Sequence, residues 1–168
     1  MRKSIDEAAF ITAYDEYAEA IFRYCYFRTY DRERAQELMQ ETFTNAWSYL
    51  RQGKEIENLK AFLYRTAHNV CVNEVVKSKS LSLDEMNEQT GYDPESSDRS
   101  PEADAEGALI LERLAELPLA DREVLTLRFI EGMAVKDIAT MLGLPPNTVS
   151  VRIKRALAVL RDRYEQTP

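Results

Sequence analysis

Glycine and proline are scarce in this chain of 168 residues, which contains five and six of them. Folds made of many short strands need these residues at their frequent turns, so their scarcity argues against a strand-rich fold. Alanine, leucine, glutamate and arginine are abundant instead, and these residues favour helices. The sequence therefore predicts an all-α fold, and a hydrophobic fraction of 45% is sufficient for a core.

Reactive and metal-binding side chains are also few. Cys25 and Cys71 each lie in an apolar helical stretch and in no CxxC or Cys/His cluster, so we expect buried thiols rather than a disulfide or a metal pair. His68, the single histidine, has no second ligand or nucleophile beside it in the sequence. Glycine-rich phosphate loops and nucleophile signatures are missing as well. We expect no metal site, no cofactor and no enzymatic activity.

Long hydrophobic runs are missing too. No uninterrupted apolar stretch approaches the ~18 residues that a membrane span needs. Arg2 and Lys3 are followed by Asp6 and Glu7 rather than by the apolar core of an export signal. We therefore expect a cytoplasmic protein with no direct membrane insertion, and a reducing cytosol agrees with buried thiols.

The formal net charge of −7 argues at first against a nucleic-acid partner, but the acidic residues are concentrated in one segment. Residues 1–78 carry 11 basic and 12 acidic side chains, residues 79–112 carry 2 and 10, and residues 113–168 carry 9 and 7. Between positions 147 and 163, five basic residues stand against Asp162 alone. This local excess of positive charge on one predicted helix keeps DNA binding open.

An acidic, flexible linker is predicted at residues 79–107. The helical period of apolar residues fades there, and Ser, Asp, Glu and Asn dominate together with Pro94 and Pro101. Such a composition buries too little apolar surface to offset the chain entropy that folding costs. We therefore expect two small helical domains, at residues 1–78 and 108–168.

Helix caps are visible in the first of these domains. Ser4 and Glu7 have the spacing of a capping box, which predicts the start of the first helix. Asp31 and Asn58 are residue types that cap helices, and we expect them to start the second and third. Gly53 is predicted to end the second helix. The domain is therefore expected to be an amino-terminal helical bundle.

A helix-turn-helix is predicted at residues 135–153, after a helix that would reach Ile130 and bury it. Ala139 is small enough for two helices to approach, Gly143 supplies a left-handed turn, and Val149 would help to pin the second helix across the first. The N-terminal face of the second helix then fits the major groove, where polar and basic side chains meet base edges and phosphates. An αα-hairpin with a solvated basic face is the alternative.

The motif leading into this helix-turn-helix resembles a known family, the extracytoplasmic-function (ECF) group of sigma-70-like sigma factors. Leu117-Pro118, residues 122–129 and Glu131-Gly132 are similar to the start of that family's region 4. In the family, this segment directly precedes the helix-turn-helix that reads the −35 promoter element.

The amino-terminal half resembles the same family. Residues 37–43, followed by Ala46-Trp47, are similar to region 2.2, which docks on the clamp coiled coil of RNA polymerase. Residues 62–69 are similar to regions 2.3 and 2.4, which melt and read the −10 element. The resemblance therefore spans both predicted domains.

The resemblance implies three sets of binding residues. The set for core polymerase is Glu37, Leu38, Gln40, Glu41, Phe43 and Asn45. The set for the −10 element is Lys54, Tyr64, Arg65, His68, Asn69, Asn73 and Lys77. The set for the −35 element is Lys136, Asn147, Thr148, Ser150, Val151, Arg152, Lys154 and Arg155. Extruded bases of the −10 element would be held by aromatic and amide groups of the second set.

Two features qualify this assignment. Phe43 and Trp47 accompany polar residues on the second helix, which suits a partner-binding face, but the same pair is equally suited to completing the core. The resemblance to the family favours the partner-binding face. Ala134 stands where the family tends to place a serine at a helix start, so a helix cap is expected to be missing there.

The sequence predicts a bacterial sigma factor that directs core RNA polymerase to specific promoters and assists promoter melting. The expected partners are core polymerase, promoter DNA and an anti-sigma factor. The rival prediction is a stand-alone regulator whose helix-turn-helix binds operator DNA while the amino-terminal helices bind a ligand or dimerise. A third candidate, a pure interaction scaffold, predicts no salt-dependent DNA binding.

Overall fold

Helices dominate both parts of the chain that a computed structural model describes, residues 5–81 and 104–166. Seven α-helices and one π-helical turn lie within these ranges, which contain no strand. The prediction of an all-α fold is therefore confirmed. The chain divides into two compact units, residues 1–89 and 90–168.

Three helices form the first unit: α1, Glu7–Thr29; α2, Arg32–Arg51; and α3, Leu59–Leu81. The side chain of Asp31 accepts a hydrogen bond from the Arg34 backbone N–H at 2.9 Å and so caps α2. Asn58 accepts from the Ala61 N–H at 3.0 Å, immediately before α3. Gly53 follows α2 with a φ of 75°. Both predicted caps and the predicted break are confirmed.

The start of α1 differs from the prediction. Asp6 accepts from the Ala9 N–H at 2.8 Å and is the N-cap of the helix. Ser4, the predicted cap, lies outside the described residues. A carboxylate caps as well as a hydroxyl, and its negative charge is further favoured by the helix dipole.

The core of the first unit is formed by all three helices. Its most deeply buried members include Ile21, Tyr24, Cys25, Leu38, Ala46, Leu63, Tyr64 and Ala67. The Sγ atoms of Cys25 and Cys71 are 3.8 Å apart and share a thiol hydrogen bond, so the prediction of buried thiols rather than a disulfide is confirmed. This hydrogen bond, together with burial, raises the pKa of Cys25 and keeps it protonated.

The second unit consists of α4, Asp104–Ala115; α5, Leu119–Leu125; a π-helical turn, Thr126–Ile130; α6, Val135–Leu142; and α7, Pro146–Glu165. Gly143 ends α6 with a φ of 67°, and the next N–H, of Leu144, donates to the Ala139 carbonyl at 2.9 Å. Val149 and Ile153 of α7 are buried. The predicted helix-turn-helix is therefore present as α6 and α7.

The π-helical turn was not predicted by the sequence pattern. The Glu131 N–H donates to the Thr126 carbonyl at 3.0 Å, five residues earlier, so this turn contains one residue more than an α-helical turn. The extra residue rotates the side chains that follow it. Ile130 is consequently exposed, and the prediction that it is buried is wrong.

The predicted linker lies mostly outside the described residues. Where its ends are described they are helical, because α3 continues past residue 78 and α4 begins before residue 108. Within residues 5–81 and 104–166, no helix combines the length and the apolar composition that crossing a membrane requires.

Candidate functional site

The outer face of α7 gathers most of the residues that were predicted to contact the −35 element. Val149, Ile153 and Ala156 are buried on the inner side, which turns the intervening side chains outward. The exposed or half-exposed members of the predicted set on this helix are Asn147, Thr148, Ser150, Val151, Arg152, Lys154 and Arg155. Five of them, Asn147, Thr148, Val151, Arg152 and Arg155, line an open cleft of about 300 Å³. Lys136 is exposed on α6 of the same unit.

The start of α7 has the geometry of an anion site. Pro145 is the N-cap in an extended conformation, and Pro146 occupies the first helical position. The backbone N–H groups of the first helical turn have no partner within an α-helix and carry the positive end of its dipole. A phosphate group is the ligand that such a helix start prefers.

The side chain of Arg155 forms an ion pair with a residue of α5. Its Nη2 is 2.8 Å from Oδ1 of Asp121, a residue whose side chain is only 7% exposed. Asp121 was not singled out in the sequence, because a lone acidic residue after Leu117-Pro118 gives no signal of its partner 34 positions later.

The exposed side of α2 carries the polar members of the set predicted for core polymerase. Glu37, Gln40, Glu41 and Asn45 are exposed. Leu38 and Phe43 of the same set are buried, so their side chains support this surface from within.

An aromatic groove between α1 and α2 borders this polar surface. Phe10 lies 5.0 Å from Trp47 and Tyr14 lies 4.8 Å from Phe43, as ring-centroid distances. With Gln40 at its edge, the groove has a volume of about 500 Å³. Phe43 is a core residue, whereas Trp47 lines the groove while half-buried.

Four members of the set predicted for the −10 element form a row on α3. Arg65, Asn69, Asn73 and Lys77 follow one another at intervals of four, which places them along one side of the helix, and all four are exposed. The row therefore exposes two cations and two amides on one side of α3.

Tyr64 does not belong to this row. Its side chain is 1% exposed and packs edge-on against Tyr24 at 6.0 Å in the core. Contact of its side chain with a base does not fit this burial. The Tyr24 hydroxyl lies 3.2 Å from Nδ1 of His68, which is half-buried, so Tyr24 positions the histidine at the edge of the exposed row.

Lys54 lies before α3, and its ammonium group is 4.8 Å from the centroid of the Tyr49 ring. Tyr49 in turn is 4.8 Å from Phe62, in the first turn of α3. This cation–π contact orders a basic side chain beside two half-buried aromatic rings.

Within the described ranges, no three His, Cys, Asp or Glu side chains are grouped so that they could hold a metal ion.

The first unit is a three-helix bundle, and the second contains a helix-turn-helix with an exposed polar and basic face. Residues 13–80 match the family model for Sigma-70 region 2, and residues 108–160 match the one for Sigma-70, region 4. The ECF RNA polymerase sigma factor SigL of Mycobacterium tuberculosis is 30% identical over 157 residues, which cover 92% of this chain and 89% of that protein. The ECF RNA polymerase sigma factor SigW of Bacillus subtilis is 27% identical over 174 residues, covering 96% and 91%. The chain belongs to the ECF group of sigma-70 family RNA polymerase sigma factors.

Two solved structures share the fold. RpoE of Bartonella quintana, in a complex with the anti-sigma factor NepR, has a TM-score of 0.75 at 21% identity, covering 95% of this chain and 98% of that one. CnrH, in a complex with the cytosolic domain of CnrY, has a TM-score of 0.72 at 22% identity, covering 97% and 92%. Family membership confirms the predicted sigma factor and does not favour a stand-alone regulator.

Proposed function

We propose that the two units of this sigma factor divide promoter recognition between them. Residues 1–78 would bind core polymerase and the −10 element, residues 79–107 would connect the units, and residues 108–168 would bind the −35 element. The observation that carries this proposal is the face of α7, where polar and basic side chains are exposed opposite a buried apolar seam. We assign no catalytic step to the chain, since nucleotide transfer belongs to the polymerase that it recruits.

The −35 element is read by α7 in the major groove. The width of that groove admits a helix, and arginine and lysine side chains bind guanine edges and phosphates there. The cleft between Asn147 and Arg155 supplies amide, hydroxyl, methyl and guanidinium groups within one stretch of surface. The start of α7 adds a phosphate contact that fixes the register of the helix on the duplex. Lys136 contributes positive charge from α6.

Core polymerase binds the exposed side of α2 through Glu37, Gln40, Glu41 and Asn45. A surface of polar residues beside an aromatic groove is typical of protein interfaces, which combine a buried apolar centre with a polar rim. Leu38 and Phe43 act indirectly, because they are buried and hold α2 against its neighbours.

The −10 element binds the row on α3. Arg65 and Lys77 attract the phosphate backbone, while Asn69 and Asn73 offer hydrogen-bond donors and acceptors to unpaired bases. His68 and Lys54 lie beside this row, and Tyr64 contributes by holding His68 through the core. Binding energy that is gained only with extruded bases favours the melted duplex.

An anti-sigma factor is a further proposed partner. Among structural neighbours, RpoE is seen with the anti-sigma factor NepR, which supports the proposal only through the shared fold. We also propose that the chain acts in the cytoplasm, where core polymerase and promoter DNA are found together.

Reconstitution with core RNA polymerase tests the proposed function. Promoters selected from a random DNA library by the reconstituted holoenzyme should share two elements, at −35 and −10, and the chain alone should select none. A chain that binds palindromic DNA as a dimer and fails to bind core polymerase would overturn the proposal in favour of an operator-binding regulator.

A further inference from the structure

Asp121 and Arg155 form an ion pair that joins α5 to the proposed DNA-reading face of α7. The 2.8 Å contact runs between Oδ1 of the aspartate and Nη2 of the arginine. The two side chains differ greatly in exposure, with 7% of Asp121 and 63% of Arg155 accessible to solvent. The carboxylate is therefore fixed inside the unit, whereas the guanidinium group lies largely on its surface.

The fold holds Asp121 in one place. It is the third residue of α5, where negative charge is favoured by the helix dipole. Its backbone N–H donates to the Pro118 carbonyl at 3.0 Å, and Val124, one turn later, is fully buried. Because α5 also packs against α7, the carboxylate is a rigid anchor beneath a long and otherwise flexible side chain.

An ion pair with so exposed a guanidinium contributes little to folding, because water screens the attraction. We expect the ion pair to have a larger effect on the recognition of bases by Arg155. Reading a guanine requires two N–H groups of one arginine in a fixed orientation, and a side chain that is already ordered loses less conformational freedom on binding. A single contact with Asp121 occupies one of five N–H donors, so Arg155 keeps donors for a base.

We propose that Asp121 is a positioning residue that orients Arg155 for base recognition in the −35 element. The proposal rests on the function proposed for α7. It assigns Asp121 an effect on promoter preference although its own side chain is buried and does not face DNA. Arg155 would then present its outer nitrogens at the border of the cleft that Arg152 and Val151 also line.

The test uses RNA polymerase holoenzymes reconstituted with the full chain. Asp121→Asn removes the charge at nearly constant size, and Asp121→Glu keeps the charge but displaces it. Both are compared with Arg155→Ala and with the double variant Asp121→Asn/Arg155→Ala. Asp162→Asn is the matched control, since Asp162 is an exposed acidic residue further along α7. Transcription is measured from promoters that carry every single-base change in the −35 element, at two salt concentrations.

We expect Asp121→Asn to reduce base preference about tenfold, ~1.4 kcal/mol, at the same base pair that Arg155→Ala relaxes. The double variant should retain as much base preference as Arg155→Ala alone, because both changes disable the same contact between Arg155 and the base. Asp121→Glu should retain more preference than Asp121→Asn, and Asp162→Asn should leave preference unchanged. The melting temperature of each variant is recorded alongside.

Four results would overturn the positioning role. If Asp121→Asn reduced transcription from all −35 sequences equally and lowered the melting temperature, Asp121 would contribute to stability alone. An equal gain in transcription from all −35 sequences in Asp121→Asn, with a steeper salt dependence, would mean that the carboxylate only weakens the attraction of Arg155 for DNA. If Arg155→Ala lost base preference and Asp121→Asn kept it, Asp121 would have no positioning role, and the proposed function of α7 would stand. If Arg155→Ala itself left preference unchanged, the proposed role of Arg155 would fall, and this proposal with it.

Discussion

Arg34 of α2 binds Glu74 of α3 through two of its nitrogens, with Nε 2.8 Å from Oε1 and Nη2 paired with Oε2. The same guanidinium group pairs with Glu37, one turn further along α2. Hydrogen bonding to Glu74 is the main reason that the pKa of Arg34 is raised. These contacts join α2 to α3 and tie Glu37, a residue of the proposed polymerase surface, to the packing of the first unit.

The first prediction concerns this connection between α2 and α3. Glu74→Gln is expected to lower the free energy of unfolding of the first unit by ~1 to 2 kcal/mol, because it removes charged hydrogen bonds that are partly shielded from water. Trp47, the single tryptophan, lies in this unit, so its fluorescence during urea denaturation of the full chain reports this transition. Glu19→Gln, at an exposed position of α1, should change the free energy of unfolding little. Equal stability of Glu74→Gln and wild type would show that the pair is energetically neutral.

The second prediction concerns binding to core polymerase. Replacing Gln40 and Glu41 together by alanine should weaken the affinity at least tenfold without changing helicity, because both side chains are exposed and alanine favours helices. The affinity is measured by competition with the wild-type chain, and helicity by circular dichroism. The double variant Asp15→Ala/Glu19→Ala removes two exposed side chains of α1 and should bind normally. Unaltered affinity of the α2 variant would remove this surface from the interface.

The third prediction concerns promoter melting. Asn69→Ala should reduce the open complex more than the closed complex, because a side-chain amide holds an extruded base but adds little to duplex contact. Reactivity of unpaired thymines to permanganate reports melting, and a filter-binding assay at low temperature reports the closed complex. Val72→Ala, on the same helix and exposed, is the control. Similar losses in both complexes would argue against a role for Asn69 in holding a base.

The fourth prediction concerns the start of α6. Ala134 is its N-cap, in an extended conformation with no side-chain hydrogen bond, as the sequence predicted. Ala134→Ser should therefore add ~0.5 to 1 kcal/mol of stability to the second unit, because a hydroxyl can accept from an N–H of the first turn. Thermal unfolding followed by circular dichroism measures the change. Ala158→Ser, in the exposed middle of α7, should instead be slightly destabilising. If both serine variants gained stability, or if neither did, helix capping by a serine at position 134 would be excluded as a source of stability.

The parts of the fold that local chemistry determines could be predicted from the sequence. Asp31, Asn58 and Gly143 act within four or five residues of their own positions, and each has the role that its residue type indicates. The exposed face of α7 was equally predictable, since helical period alone separates Val149 and Ile153 from the residues between them.

Contacts between distant segments could not be predicted in this way. Tyr64 lies in a motif for DNA binding, yet it faces Tyr24 in the core, because the rotation of α3 against α1 decides which side of the motif is buried. The π-helical turn before Glu131 likewise depends on one extra residue in a hydrogen-bonded turn, and the pattern of apolar residues does not register it. Glu74 lies 40 positions from Arg34, and Asp121 lies 34 positions from Arg155.

The last prediction separates base contacts from phosphate contacts on α7. Arg152 lines the cleft, so Arg152→Ala should relax the preference at one −35 base pair at a cost of ~1 to 3 kcal/mol there. Lys154 is exposed beside the cleft and carries a compact charge suited to phosphate, so Lys154→Ala should weaken all −35 sequences alike and reduce the salt slope by about 0.9. Transcription from −35 variants at several salt concentrations measures both effects. Arg161→Ala, two turns further along α7, removes an exposed arginine and should change neither preference nor slope. If Arg152→Ala and Lys154→Ala behaved like this control, α7 would not be facing promoter DNA, because an exposed cation at a DNA interface cannot be removed without changing the number of counterions released.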